Sequence, residues 1–392
     1  MTPNPLLGGL SPDTFLRDYW QRRPLLVRQA FPGIRPLINA DELAGLALEP
    51  DVPSRLVVQS ADSQWDLRYG PFDADEFATL PSTHWTLLVT DLEKFVPELH
   101  KLIAPFRFLP DWRIDDLMIS FAAPLGSVGP HIDAYDVFLL QLEGSRRWQI
   151  DTRPVSPDNR LLDTELHILA RFEAESEWIL EPGDMLYLPP GVAHYGIALD
   201  ACMTASVGFR APSQKDLAEA YLDDVVSGLV SEHRFCDRGR TAATNPGEID
   251  AFSRRGVVSL LREAIDQSDE DIERWFGRYI TEPRAELASL YPEPQQWDAE
   301  GVKSHLANGF ALTRNTSARL AFFSQNGILL LYADGEEYPL EMNFRPLVDV
   351  LCQHFEYPAM LLQSLVTINP GAPALIAKLL QRGILEPAQS TD

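Results

Sequence analysis

Cysteine is scarce in this 392-residue chain, and the three present, Cys202, Cys236 and Cys352, are widely spaced and odd in number. They form neither a disulfide framework nor a zinc-binding pattern. Positive charge is also in deficit. Against 57 Asp and Glu stand 33 Lys and Arg, for a formal charge of −24. Phosphate binding needs a positive surface, so direct nucleic acid binding is not expected, whereas basic partners are. No run approaches the ~18 apolar residues of a bilayer-spanning helix, so no membrane association is expected. The opening MTPNPLLGG lacks a basic stretch and a long apolar core, so no signal peptide is expected either. Internal repeats and low-complexity tracts are absent. These deficits point to a reducing cytoplasm. The chain does hold 45% hydrophobic residues, enough for the cores of two or three domains.

One constellation carries chemistry. His131-Ile132-Asp133 is followed 63 residues later by His194. Two imidazoles and one carboxylate can cap one face of an iron atom and leave the opposite positions open for a co-substrate and O₂. With 8 His and 57 acidic residues, about one His-x-acidic match arises from composition alone. His354-Phe355-Glu356 is such a match, in a stretch that reads as helix. Context separates the two. In an extended strand, residues i and i+2 share a face, so His131 and Asp133 aim at one point. Residues 122–130 before them are small and turn-forming. Residues 136–142 after them read as a strongly apolar strand, 143–145 as a turn, and 146–150 as the paired return strand. Turn 181–184, strand 185–188 and turn 189–193 lead to His194. Residues 204–209 read as a further strand that closes a barrel.

The segments GPHIDAYDVFLLQLEGSRRW (129–148), EPGDMLYLPPGVAHYG (181–196) and SVGFRAP (206–212) resemble the JmjC/cupin superfamily of Fe(II)- and 2-oxoglutarate-dependent oxygenases. WQRRP (20–24) and DDLMIS (115–120) narrow the resemblance to bacterial ribosomal oxygenases, the arginine hydroxylases of a large-subunit ribosomal protein. The fold implied is mixed α/β: a double-stranded β-helix (JmjC/cupin) barrel over residues 1–212, a helical dimerisation segment over 213–287, and a winged-helix-like C-terminal domain over 288–392. The activity implied is 3-hydroxylation of an arginine in the sixteenth protein of the large subunit. Fe(II), 2-oxoglutarate and O₂ are consumed or bound, and succinate and CO₂ released. The metal ligands are His131, Asp133 and His194. A homodimer and a basic ribosomal protein partner follow from the same resemblance.

The remaining elements read as follows. Helices are expected over 10–20 (capped by Ser11 or Asp13), 41–48 and 92–102, and strands over 24–28 and 85–90. Helical periodicity covers 214–231, 256–265 and 271–279. Residues 291–296 look like a linker. Residues 318–323 and 327–332 form a candidate hairpin, with helices over 344–355 and 372–381. The winged-helix-like segment shows no basic recognition face.

A dicarboxylate co-substrate needs a fixed cation, and arginine offers a bidentate fork. Arg146 and Arg147 are adjacent on a strand and face opposite ways. The resemblance selects Arg146, at the offset of the family's basic co-substrate residue. The alternative puts both at a solvated hairpin end. Thr204 is read as a further co-substrate contact. An arginine substrate wants a carboxylate and a flat apolar wall. Asp116 is assigned as the guanidinium acceptor, Met118 and Tyr135 as the channel walls, and Ser206 as a nearby hydroxyl. The alternatives are a strand-entry Asp116 paired with Arg107 or Arg113, and a Met118 in ordinary core packing. Two other functions stay open at this stage: the same chemistry on histidine or another target, and a non-catalytic cupin-like binding module.

Overall fold

The computed structural model describes residues 5–60, 64–162 and 164–388. It divides into two compact units, Met1–Ala211 with Ala285–Tyr291, and Pro212–Arg284 with Pro292–Asp392.

The first unit opens with α1 (Pro12–Asp18), β1 (Leu25–Val27), α2 (Ala40–Leu46), β2 (Ser54–Gln59), β3 (Trp65–Tyr69), α3 (Ala74–Ala78) and β4 (Trp85–Val89). Ser11 caps α1 by accepting from the Thr14 N–H, and Asn39 and Glu42 close a capping box on α2. The helix expected over 92–102 is broken into α4 (Leu92–Phe95), a 3₁₀ turn and α5 (His100–Ile103). Pro97 is the cause, because it lacks the N–H that a continuous helix would use there. Strands β2 and β3 went unread in the sequence.

The barrel follows: β5 (Ile114–Ala122), β6 (His131–Ile132), β7 (Asp136–Glu143), β8 (Arg146–Asp151), β9 (Ser176–Leu180), β10 (Met185–Leu188), β11 (Ala193–Ala198) and β12 (Cys202–Phe209). Two antiparallel sheets form, in the orders β1-β10-β7-β12-β5-β4-β2-β3 and β6-β11-β8-β9. Here one expectation is corrected. Segment 146–150 is not the return strand of 136–142: β7 pairs with β10 and β12, while β8 pairs with β11 and β9. The connecting turn carries the chain from one sheet to the other. Gly144 makes this possible, with φ +62° and no room for a Cβ beside the Ala201 carbonyl. Such crossing is what a double-stranded β-helix requires, since consecutive strands alternate between its sheets.

Strand alternation then sorts the side chains. Phe138, Leu140, Met203, Ala205, Val207 and Phe209 face outward onto Phe15, Leu43, Leu92 and Phe106 of the N-terminal elements. Val137, Leu139, Leu186 and Leu188 face inward, against Trp148, Ile150, Leu180 and Val192 of the smaller sheet. The larger sheet is covered on both faces, which explains the unbroken apolar run of β7.

The second unit contains α6 (Gln214–Ser227), α7 (Ala251–Ile265), α8 (Asp269–Thr281), α9 (Ala299–Ala307), β13 (Leu312–Arg314), β14 (Leu320–Gln325), β15 (Ile328–Ala333), β16 (Glu336–Leu340), α10 (Arg345–Gln353), β17 (Glu356–Tyr357), α11 (Ala359–Ile368), α12 (Ala372–Gln381) and β18 (Leu385–Pro387). The expected hairpin is β14–β15, extended by β16, and β13 lies between β17 and β18. Helices α9, α10, α11 and α12 share one core with both sheets. Helices α6 and α7 bury no side chain. The His354/Glu356 match does not lie within a helix: His354 follows the last turn of α10 and Glu356 is exposed on β17.

Candidate metal and co-substrate site

His131 and His194 are direct cross-strand partners on β6 and β11, which sets their rings 4.2 Å apart. Asp133 is not in the strand, as the sequence suggested, but one residue beyond it. The Gly191 N–H holds that turn by donating to the Asp133 carbonyl at 2.9 Å. The Asp133 carboxylate still reaches both imidazoles, 3.8 Å from His131 Nε2 and 3.5 Å from His194 Nε2. These separations are too long for strong hydrogen bonds. All three donor atoms lie within 4.8 Å of one another, so they surround a common point rather than satisfy each other.

The tautomers follow from the outer ring nitrogens. His131 Nδ1 lies 2.9 Å from the Gly129 carbonyl, and His194 Nδ1 lies 2.9 Å from the Val192 carbonyl. A carbonyl only accepts, so both Nδ1 atoms carry the proton and both Nε2 lone pairs point at the shared point. Burial, reinforced by His131, pushes His194 down to about 4 against the opposing pull of Asp133. His194 is therefore neutral at physiological pH, the form that binds metal. The donor set fits Fe(II): two imidazole nitrogens and one carboxylate on one side.

Three residues beyond Asp133 lies a network that the sequence did not announce. Asp136 is fully buried and accepts from the Tyr187 hydroxyl at 2.6 Å, the Gln21 amide at 3.0 Å and the Arg113 guanidinium at 3.4 Å. It anchors the end of the turn that carries Asp133. Burial raises its carboxyl despite these donors.

Arg146, Trp148 and Ile150 alternate on the inner face of β8. Arg146 is 6% exposed, and its Nε and Nη2 have no hydrogen-bond partner among the described residues. A buried guanidinium with open donors fits an absent carboxylate. Arg147 faces the other way, half-buried near Tyr195. Thr204 is buried on the inner face of β12, but its hydroxyl donates to Gln141 Oε1 at 3.1 Å. Its single proton is thus committed within the protein.

Asp116, Met118 and Ser120 alternate on β5, and Ser206 pairs opposite Met118 on β12. A Cβ on Gly208 would meet Asp116 Oδ1 at 2.8 Å and the Tyr135 ring at 3.8 Å, which brings those two side chains to one spot. Burial raises the Tyr135 hydroxyl, with Asp133 and Asp116 adding to it. Of the cations suggested as alternative partners, Arg107 bridges Asp111 and Arg113 bridges Asp136, and Asp116 itself also has an interaction within the protein. Arg210 pairs with Asp115 and sits 5.8 Å from the Tyr135 ring. Arg55 Nη2 lies 3.9 Å from Met118 Sδ, a neighbour that nothing in the sequence disclosed.

Comparison with known proteins agrees with this architecture. A JmjC domain model matches residues 101–217, and a ROXA-like winged helix model matches residues 263–386. The ribosomal protein uL16 3-hydroxylase of Escherichia coli is 35% identical over 369 residues, covering 94% of this chain and 95% of that protein. The crystal structure of E. coli YcfD aligns with a TM-score of 0.83 at 34% identity, over 97% of this chain and 98% of that one. A second YcfD structure, described as a ribosomal oxygenase in complex with cobalt and 2-oxoglutarate, aligns with a TM-score of 0.79 at 35% identity, over 97% of this chain and 99% of that one. With near-complete coverage in both sequence and structure, this chain belongs to the ribosomal oxygenase family, a JmjC barrel joined to a ROXA-like winged helix.

Proposed function

We propose that this protein is an Fe(II)- and 2-oxoglutarate-dependent protein hydroxylase that modifies an arginine side chain of ribosomal protein uL16. The observation that carries the reading is the pairing of a His₂Asp donor set with a buried, partnerless arginine on one barrel interior. The E. coli relative is named a uL16 3-hydroxylase, and its structural counterpart holds cobalt, a stand-in for iron, with 2-oxoglutarate.

His131, Asp133 and His194 would hold the metal, and Arg146 the far carboxylate of the co-substrate. Bound Fe(II) and 2-oxoglutarate supply the oxidising power that places one oxygen atom of O₂ on a carbon, releasing succinate and CO₂. The protein contributes position and dryness. The carbonyls of Gly129 and Val192 lock the imidazoles in the metal-binding tautomer. Asp116 accepts the substrate guanidinium, Met118 and Tyr135 wall its aliphatic stem, and Ser206 borders the same pocket. An acidic acceptor favours arginine over histidine as the target. The −24 charge suits a basic ribosomal protein, and such a substrate puts the enzyme in the cytoplasm.

The three-part division of the chain, with 213–287 as a dimerisation segment, belongs to the same proposal. Helices α6 and α7 expose Leu222, Val226, Val257, Val258, Leu261 and Ile265. A second copy of this chain would bury them.

The test is mass spectrometry of ribosomal proteins incubated with the full chain, Fe(II) and 2-oxoglutarate, beside a His131→Ala control. Gain of one oxygen on a single uL16 arginine, absent in the control, is the expected result. Consumption of 2-oxoglutarate without a modified arginine would redirect the search to another substrate. Neither product nor consumption would leave a binding module.

A further inference from the structure

The inner face of β8 holds one more buried donor than the reading above uses. Trp148 is 5% exposed, and its indole Nε1 has no hydrogen-bond partner among the described residues. Buried tryptophan N–H groups ordinarily find an acceptor, and an open one implies a ligand atom or water that completes it. The location is specific. The Trp148 ring centroid lies 5.8 Å from that of the metal ligand His194, and the Arg146 guanidinium carbon lies 5.8 Å from the Trp148 ring. The indole therefore neighbours both a candidate metal ligand and the arginine proposed for the far carboxylate.

Its seat is built by an omission. Gly196 on β11 is the register partner of Trp148, and a Cβ there would stand 2.7 Å from ring atoms Cη2 and Cζ3. Along β11, His194 and Ala198 bracket that glycine, and Ala198 lies opposite Arg146. Four residues of strand cover roughly 13 Å, which separates the level of His194 from that of Arg146 and leaves Trp148 at the level between them. The other candidate donor nearby in the barrel, Thr204, gives its proton to Gln141. Nε and Nη2 of Arg146 and Nε1 of Trp148 are then three buried donors on one strand face without acceptors among the described residues.

We infer that Trp148 is a second co-substrate anchor, whose indole N–H donates to a carboxylate oxygen of the same dicarboxylate that Arg146 binds. The inference rests on the proposed 2-oxoglutarate dependence and deepens it. Two donors two residues apart fix both the charge and the orientation of the distal carboxylate, so a 2-oxo acid lacking that second carboxylate leaves both unsatisfied. The ligand class is a short 2-oxo dicarboxylate.

The experiment uses the full chain loaded with Zn(II), which is diamagnetic and supports no turnover. Binding of 2-oxoglutarate is measured by calorimetry for wild type, Trp148→Phe and Arg146→Met, and the ¹⁵N-indole spectrum is recorded with and without 2-oxoglutarate. The crosspeak missing from Trp148→Phe identifies Trp148. The expected result is about tenfold weaker binding in Trp148→Phe, about 1.4 kcal/mol, with Zn(II) affinity unchanged, and a downfield shift of that crosspeak in wild type. Wild-type binding abolished by Arg146→Met, with the Trp148 crosspeak unmoved and Trp148→Phe binding normally, overturns the anchor while leaving the oxygenase reading intact. A wild-type protein that binds Zn(II) but not 2-oxoglutarate overturns both. The shift is read in wild type, and if Trp148→Phe folds poorly the crosspeak is assigned with Trp148→Tyr instead.

Discussion

Gly196→Ala places a single methyl group where the barrel has no space for it. The added Cβ would lie 2.7 Å from Trp148 Cη2 and Cζ3 and 3.0 Å from Cε3. Carbon atoms pack best at about 3.5–4.0 Å, so the overlap approaches ~1 Å. Overpacking of this kind costs about 1–3 kcal/mol. Replacing glycine in a strand returns about 0.5–1 kcal/mol of backbone entropy, so the net loss is about 0–2.5 kcal/mol, centred near ~1 kcal/mol. For a unit of this size that lowers Tm by about 2–4 °C at the centre of the range and by about 10 °C at its upper end. The three atoms struck all belong to the six-membered ring of the indole, which a phenylalanine does not extend as far. Trp148→Phe should therefore absorb the methyl, and the double variant should lie close to Trp148→Phe alone. Scanning calorimetry of the four proteins, following the barrel transition, measures this coupling. The reasoning is refuted if Gly196→Ala melts with wild type, or if its cost persists unchanged in the Trp148→Phe background.

Other consequences are as direct. Asp133→Ala should abolish tight Co(II) binding, seen by absorbance titration, while leaving the fold intact; retained affinity would remove Asp133 from the ligand set. Asp116→Ala should cut arginine hydroxylation by at least about tenfold yet spare slow 2-oxoglutarate decay without substrate, and equal loss of both would count against its role as acceptor. Burial pushes the Asp184 carboxyl up, but the Gln29 and Glu181 N–H groups and Arg28 outweigh it and hold it below its usual 3.8. A lowered carboxylate stabilises the fold above its unfolded value and loses that contribution as pH falls through the folded one. Urea midpoints between pH 5 and pH 3 should then drop less in Asp184→Asn than in wild type. If α6 and α7 form a dimer face, Leu261→Glu should halve the mass seen by light scattering; wild type that is already monomeric would retire the proposal.

The candidate metal ligands were legible because their constraint is local. His131 and Asp133 are two residues apart, and His194 follows a Pro-Pro-Gly turn that ends one strand and starts another. The apolar run of β7 and the alternation of β5 were readable for the same reason, since period and burial are written in adjacent residues. The pairing of β7 was misread because a turn at 143–145 normally folds a strand back on its neighbour. Here Gly144 sends the chain to the opposite sheet, and a crossing is decided by what the distant β10, β11 and β12 offer as partners.

The sequence by itself determined the apolar run of β7, the alternation of β5, and which three side chains form the candidate metal-binding set. Only the tertiary structure decided which inward-facing residues meet. Asp136 finds Tyr187 and Gln21 from far along the chain, Thr204 gives its proton to Gln141, and Trp148 settles over Gly196. Each of these depends on register between strands remote in sequence, and register is fixed by the summed packing of whole faces rather than by any single residue's preference.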